Sequence, residues 1–140
     1  MTDVDPVKAM SDLLERAFAP WIKQLNITPV SMTESGARFT LPGNDDLARE
    51  GGIVCGQALA SVADTVGVLA ISAQNGEFRP LTTVDMTTHF MRPVKTEDAD
   101  VEVTIISNGR RMATARIDIR QQQGGKICAG ATCAYAYLDG

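Results

Sequence analysis

Residues 58–73, Ala-Leu-Ala-Ser-Val-Ala-Asp-Thr-Val-Gly-Val-Leu-Ala-Ile-Ser-Ala, form an apolar run holding one charged side chain, Asp64. The spacing predicts a helix that is apolar nearly all the way round, which is the pattern of a helix enclosed by a core. A fold built on this run must supply a layer that wraps it. It must also satisfy an ionised carboxylate inside that layer, because an unpaired one is costly to bury. Asp64 is therefore the first candidate for chemistry, with a carboxylate satisfied by a core Ser or Thr, or held at a subunit interface, as the plainer alternative.

The segments on either side suggest what does the wrapping. Asp5-Pro6 reads as a helix start. Met10, Leu13, Leu14, Ala17 and Phe18 follow helical spacing up to Pro20. Residues 28–34 and 37–41 flank Ser35-Gly36 as a short hairpin, and Pro42-Gly43-Asn44-Asp45-Asp46 is a polar turn leading to the pair Gly51-Gly52. The central helix starts near Gly56 and stops at Asn75-Gly76. Beyond it, residues 82–91 alternate, with Val84, Met86, Thr88 and Phe90 on one face and Thr83, Asp85, Thr87 and His89 on the other. Val101, Val103 and Ile105 lead to the turn Asn108-Gly109. Residues 111–121 alternate again, Gly124-Gly125 turns, and residues 126–138 return as a long strand. The order is helix, hairpin, buried helix and four strands: an α+β domain with an antiparallel sheet wrapped round one helix. A single domain over 1–140 is expected, with residues 1–26 as N-terminal helix and lead-in.

Composition narrows the function classes. A net charge of −4 and a pI of about 4.9 argue against a nucleic-acid surface. The longest apolar run falls short of a membrane span and is interrupted by Asp64, so no membrane association is expected. The opening residues, Met-Thr-Asp-Val-Asp-Pro, are acidic and lack the basic start and apolar stretch of a signal peptide, so none is expected there. Cys55, Cys128 and Cys133 are odd in number and at no metal-ligand spacing, so a reducing cytoplasm and no metal are expected. With His89 as the only histidine, multi-histidine sites are excluded.

Several stretches in order then carry a resemblance: Gly51-Gly52-Ile53-Val54-Cys55-Gly56-Gln57 leading to Ala63-Asp64-Thr65, next Thr83-Val84-Asp85-Met86 with Phe90-Met91-Arg92-Pro93, and last Asn108-Gly109-Arg110-Arg111-Met112-Ala113. Over residues 45–138 the pattern resembles the hotdog fold and, within it, the PaaI-like acyl-CoA thioesterases. The resemblance implies hydrolysis of a small aromatic or short- to medium-chain acyl-CoA, with coenzyme A entering only as part of the substrate and no other cofactor. It also implies a homodimer joined edge to edge, paired into a tetramer, with each site drawing on two subunits. In that family the loop before the central helix commonly reads His-Gly-Gly. Aligned on Asp64, these positions fall on Cys55, Gly56 and Gln57, and a subgroup with Ser-Gly-Pro looks closer. A polar residue six positions earlier falls on Arg49.

The resemblance implies that Asp64 attacks the thioester or activates water. It gives the Gly56 amide to the thioester oxygen and places Thr83 near the acidic residue of the neighbouring subunit. Each has a bland counterpart. Gly56 suits a tight turn, Thr82 rivals Thr83 because one register slip exchanges their faces, and Cys55 suits packing better than nucleophilic attack. Arg92, Arg110 and Arg111 suit coenzyme A phosphates or solvated turns equally. Met86, Phe90 and Met112 read as core or as acyl-pocket lining. A hotdog hydratase or dehydratase and a non-catalytic acyl-CoA binder are the alternatives, and the first would need His89.

Overall fold

The computed structural model describes residues 5–139, so the first four residues of the expected lead-in lie outside it. Helix α1 (Pro6–Ala17) is capped by Asp5, whose carboxylate accepts from the Val7 N–H at 3.0 Å. It buries Met10, Leu13 and Leu14. Pro20 stops α1 as expected and also opens a second short helix, α2 (Pro20–Lys23), that the spacing did not suggest. Proline serves both ends because it blocks continuation of one helix and pre-sets φ for the first turn of the next.

Six strands follow: β1 (Thr28–Met32), β2 (Gly36–Leu41), β3 (Leu81–Phe90), β4 (Ala99–Asn108), β5 (Met112–Arg120) and β6 (Ile127–Tyr137). They form one antiparallel sheet in the order β1-β2-β4-β5-β6-β3. Helix α3 (Gly56–Asn75) lies in its concave face and ends where Gly76 takes a left-handed φ of 76°. The sheet positions facing α3 are short: Ala113 and Ala115 on β5, Ala129, Ala131 and Cys133 on β6. Short side chains let helix and sheet approach closely, and the core between them is filled by Phe39, Leu69, Ile71, Ile117, Val62 and Val66. The outer face is polar and carries the ion pairs Arg38–Asp100, Arg120–Glu102 and Arg116–Asp118.

Two expectations change. By length and composition α3 is long and apolar enough to cross a membrane, contrary to the sequence reading, but its apolar window is 61% buried as the core helix of this domain. Nor is it enclosed on every side. Gln57, Ser61, Asp64 and Val68, spaced i, i+4, i+7 and i+11, stay wholly or partly accessible as one stripe. The stripe runs beside β3, the edge strand of the sheet, which has no further strand to cover it. Val84, Met86 and Phe90 on β3 are 51%, 37% and 54% exposed.

Candidate active site

Asp64 sits in the middle of that stripe, and its Oδ1 accepts a 2.7 Å hydrogen bond from the Thr83 hydroxyl. Strict alternation puts Thr83 on the wrong face for this contact. The strand is not regular: Thr83 pairs with Tyr135 and Asp85 with Ala134, leaving Val84 as an inserted residue. This β-bulge turns Thr83 onto the face of buried Tyr135, beside Met86 and Phe90, while Asp85, Thr87 and His89 stay outside. The register slip weighed between Thr82 and Thr83 is therefore real, and it favours Thr83. Within one chain, Thr83 already reaches Asp64.

Beneath Asp64 the helix is held from the sheet. The Tyr135 hydroxyl donates to the Asp64 main-chain carbonyl at 3.1 Å. Burial holds this phenol well above its usual range, so it stays protonated as a donor. The same burial, partly offset by a hydrogen bond with Tyr135, pushes the Cys133 thiol up to about 11. Within the helix, Ser61 donates to the Gln57 carbonyl at 2.8 Å and buried Thr65 to the Ser61 carbonyl at 2.7 Å, so both hydroxyl protons are committed there. Neither Ser61 nor Thr65 satisfies the Asp64 carboxylate from the core, which is one of the two plainer readings of Asp64.

At the head of α3, Cys55 occupies the cap position with extended backbone (φ −68°, ψ 151°) and makes no side-chain cap bond. Gly56 is the first helical residue, so its N–H is one of those the helix leaves free. A cavity of about 260 Å³ opens beside it, lined by Arg49, Gly56, Phe90 and Arg92 among others. Arg49 is held there by a tight loop in which its N–H reaches the Ile53 carbonyl at 2.9 Å and its carbonyl accepts from Gly52 at 3.0 Å. Two guanidinium groups and a helix N-terminus make this cavity electropositive.

The remaining expected residues divide. Gln57 is exposed beside Cys55 on the stripe. Arg110 and Arg111 lie in the β4–β5 turn, where the Arg110 carbonyl accepts from Arg79 and the Arg111 carbonyl from Tyr137, whose ring anchors the last turn of α3 through Asn75. A twenty-residue helix spans about 30 Å, so these two arginines stand at the opposite end from Arg49 and Arg92 and share no patch with them in one chain. Met112 is neither core nor pocket lining, being 48% exposed on the outer face. His89 also faces outward, opposite Gly130. Cys55 is only partly covered whereas Cys128 and Cys133 are buried. A maleimide should therefore label Cys55 first in the native protein, and equal rates at all three thiols, read by peptide mass, would contradict this packing.

Gly56 and Asp64 do not meet within one chain. Eight residues of helix separate them, about 12 Å along the axis, against the roughly 3 Å reach of an oxyanion donor. One helix end offers a polarising amide, and its midpoint offers a carboxylate with a hydroxyl beside it. Asp64 is partly accessible on the open stripe, and Gly56 is partly accessible on the cavity lined by Arg49, Phe90 and Arg92.

Comparison with known proteins agrees with this architecture. The family model for the acyl-CoA thioesterase N-terminal domain matches residues 50–136. A protein of Saccharolobus solfataricus provisionally named an esterase is 22% identical over 120 residues, covering 86% of this chain and 84% of the relative. Another provisional esterase, from Haemophilus influenzae, is 26% identical over 107 residues, covering 76% and 77%. Among solved structures, a thioesterase from Haemophilus influenzae superposes with a TM-score of 0.82 at 22% identity, covering 99% of this chain and 92% of its own. Zebra fish thioesterase superfamily member 2 gives 0.78 at 17% identity, covering 94% of each. The wrapped-helix sheet and the matched span place this chain in the acyl-CoA thioesterase N-terminal domain family, within the hotdog-fold thioesterases.

Proposed function

We propose that this chain is an acyl-CoA thioesterase of the PaaI-like kind whose active site forms between two copies. The observation that carries the reading is the Asp64–Thr83 pair, open to an uncovered face, with the free Gly56 amide about 12 Å up the same helix. Two antiparallel α3 helices, related by a two-fold axis, set Gly56 of each copy level with Asp64 of the other. The unpaired edge of β3 and its exposed Val84, Met86 and Phe90 favour such pairing, which would bury an edge that otherwise invites aggregation. A pairing of two such dimers completes the proposed assembly. The proposed setting is a reducing cytoplasm, which the three unpaired thiols suit, and the proposed chemistry draws on Asp64, Thr83 and the Gly56 amide.

In this arrangement the thioester oxygen accepts from the Gly56 N–H of one copy. Asp64 of the other either attacks the carbonyl carbon or takes the proton of an attacking water. With water, a C–O bond forms, the C–S bond breaks, and the departing thiolate collects the proton from Asp64. Thr83 has committed its only proton to Asp64, so its remaining lone pairs can only accept, which suits holding that water. The Arg49 and Arg92 cavity beside Gly56 suits the phosphates of coenzyme A, while Arg110 and Arg111 could contribute only from elsewhere in the assembly. A hydratase reading needs an imidazole beside the carboxylate, and His89 lies on the opposite face of β3 from Thr83.

The test exploits the place of Gly56. Proline is tolerated at the first helical position, and the extended Cys55 already has the backbone that precedes one, so Gly56→Pro deletes the N–H and keeps the helix. Gly56→Ala keeps the N–H, and its Cβ would meet Phe90 at an ordinary 3.5 Å. Thiol release from an acyl-CoA panel should fall about 100- to 1000-fold in the proline variant and little in the alanine variant. Co-expressing Gly56→Pro with Asp64→Asn should restore about a quarter of wild-type activity, since half the dimers are mixed and each mixed dimer keeps one intact site. No recovery in demonstrated heterodimers would exclude the shared site. Tight acyl-CoA binding by wild type without thiol release would instead make the protein a binder.

A further inference from the structure

Beside the head of α3, on a different side from the arginine cavity, lies a second and larger hollow of about 550 Å³. It is walled by Trp21 and Leu25 from the N-terminal segment, by Leu47, and by Cys55, Gln57 and Ser61 of the helix. We propose that this hollow receives the acyl group of the substrate and that Trp21 sets which acyl groups are preferred; the proposal rests on the thioester-hydrolysis reading above.

Three observations carry it. First, the hollow leads toward the chemistry: Ser61 is three residues before Asp64 on the same open stripe, about 4.5 Å along the helix axis. Second, its charge selects the uncharged end of an acyl-CoA. No lysine or arginine lines it, and Asp46 does, so it is a poor place for phosphates, which fit the Arg49 and Arg92 side instead. Third, its size and wall suit a sizeable apolar group. The volume lies within the range of small-molecule sites, and Trp21, 58% exposed, presents a broad flat ring that no other described side chain covers fully. An acetyl group extends one methyl beyond its carbonyl, whereas octanoyl and benzoyl groups extend much further, so a preference set by Trp21 would be felt by the larger groups and not by acetyl. Trp21 also lies outside the span matched by the family model, residues 50–136.

The test compares acetyl-, octanoyl- and benzoyl-CoA on wild type, Trp21→Ala and Trp21→Phe. Loss of the ring should raise KM at least about tenfold for the two bulky substrates and leave kcat/KM for acetyl-CoA within about twofold, with Phe restoring most of the loss. An equal loss on all three substrates, or none on any, would overturn the proposal. Trp21 is the only tryptophan in the chain, which supplies a second readout independent of turnover. A non-hydrolysable octanoyl-CoA thioether should shift its emission saturably, and coenzyme A alone should not. If wild type cleaves no thioester yet the thioether gives this selective shift, the hydrolysis reading falls and the acyl hollow stands. If thioether and coenzyme A act alike on the emission, the hollow falls whatever the enzyme hydrolyses.

Discussion

Asp64→Asn should lower kcat about 100- to 10,000-fold on every acyl-CoA that wild type hydrolyses, with KM changed little. The substitution is chosen because it is nearly isosteric and because the asparagine oxygen can still accept from Thr83, so the 2.7 Å contact survives. What is lost is the negative charge that attacks or takes a proton. A fall in kcat with KM preserved is the signature of an interaction made in the transition state, whereas a rise in KM alone would place Asp64 in ground-state binding. Far-ultraviolet circular dichroism and solution mass should match wild type, since the carboxylate is not a core ion pair. Retention of full activity would remove Asp64 from the mechanism, and with it the cross-subunit arrangement built on Asp64 and Gly56.

The sequence made the architecture legible and left the site half legible, for identifiable reasons. The run around Asp64 announced a core helix because sixteen residues with one charge leave few other folds, and the turn pairs Asn75-Gly76 and Gly124-Gly125 punctuated the elements. What periodicity missed was interruption. Val84 is itself an ordinary strand residue, so nothing local marks the bulge that reverses Thr83, and strict alternation put the threonine on the outer face. The helix looked apolar all round because Gln57, Ser61 and Asp64 are only three positions among many, yet they share one stripe. Arg110 and Arg111 read as companions of Arg92 because sequence carries no distance; the fold separates them by the length of α3. The contribution of Tyr135 was invisible too, although a signal existed. Gly67 stands in the interior of a helix, where glycine costs about 1 kcal/mol relative to alanine, and such a residue often marks a close approach.

That close approach leads to the largest stability effect expected. Alanine is ordinarily the better helix former by about 1 kcal/mol, so Gly67→Ala in a free helix would stabilise. Here a Cβ would stand 2.1 Å from the Tyr135 hydroxyl oxygen and 3.1 Å from the ring carbon that bears it. Tyr135 is fully buried, so neither ring nor helix can step aside without disturbing the core. Overpacking of this kind costs about 3 kcal/mol or more, enough to lower Tm by roughly 10 °C in a domain of this size. Tyr135→Phe alone removes the 3.1 Å bond to the Asp64 carbonyl, a loss of about 1 kcal/mol. The double variant should be more stable than Gly67→Ala alone, because deleting the hydroxyl removes the 2.1 Å contact and leaves a 3.1 Å contact that small shifts can relieve. Thermal unfolding of the four proteins closes a double-mutant cycle, with a favourable coupling of about 1–3 kcal/mol expected. Strict additivity would mean that the glycine serves something other than the tyrosine. Because that hydroxyl grips the very residue whose carboxylate meets Thr83, the singly substituted proteins should also lose kcat in step with how far the helix is displaced, tying the fit of the core to the placement of Asp64.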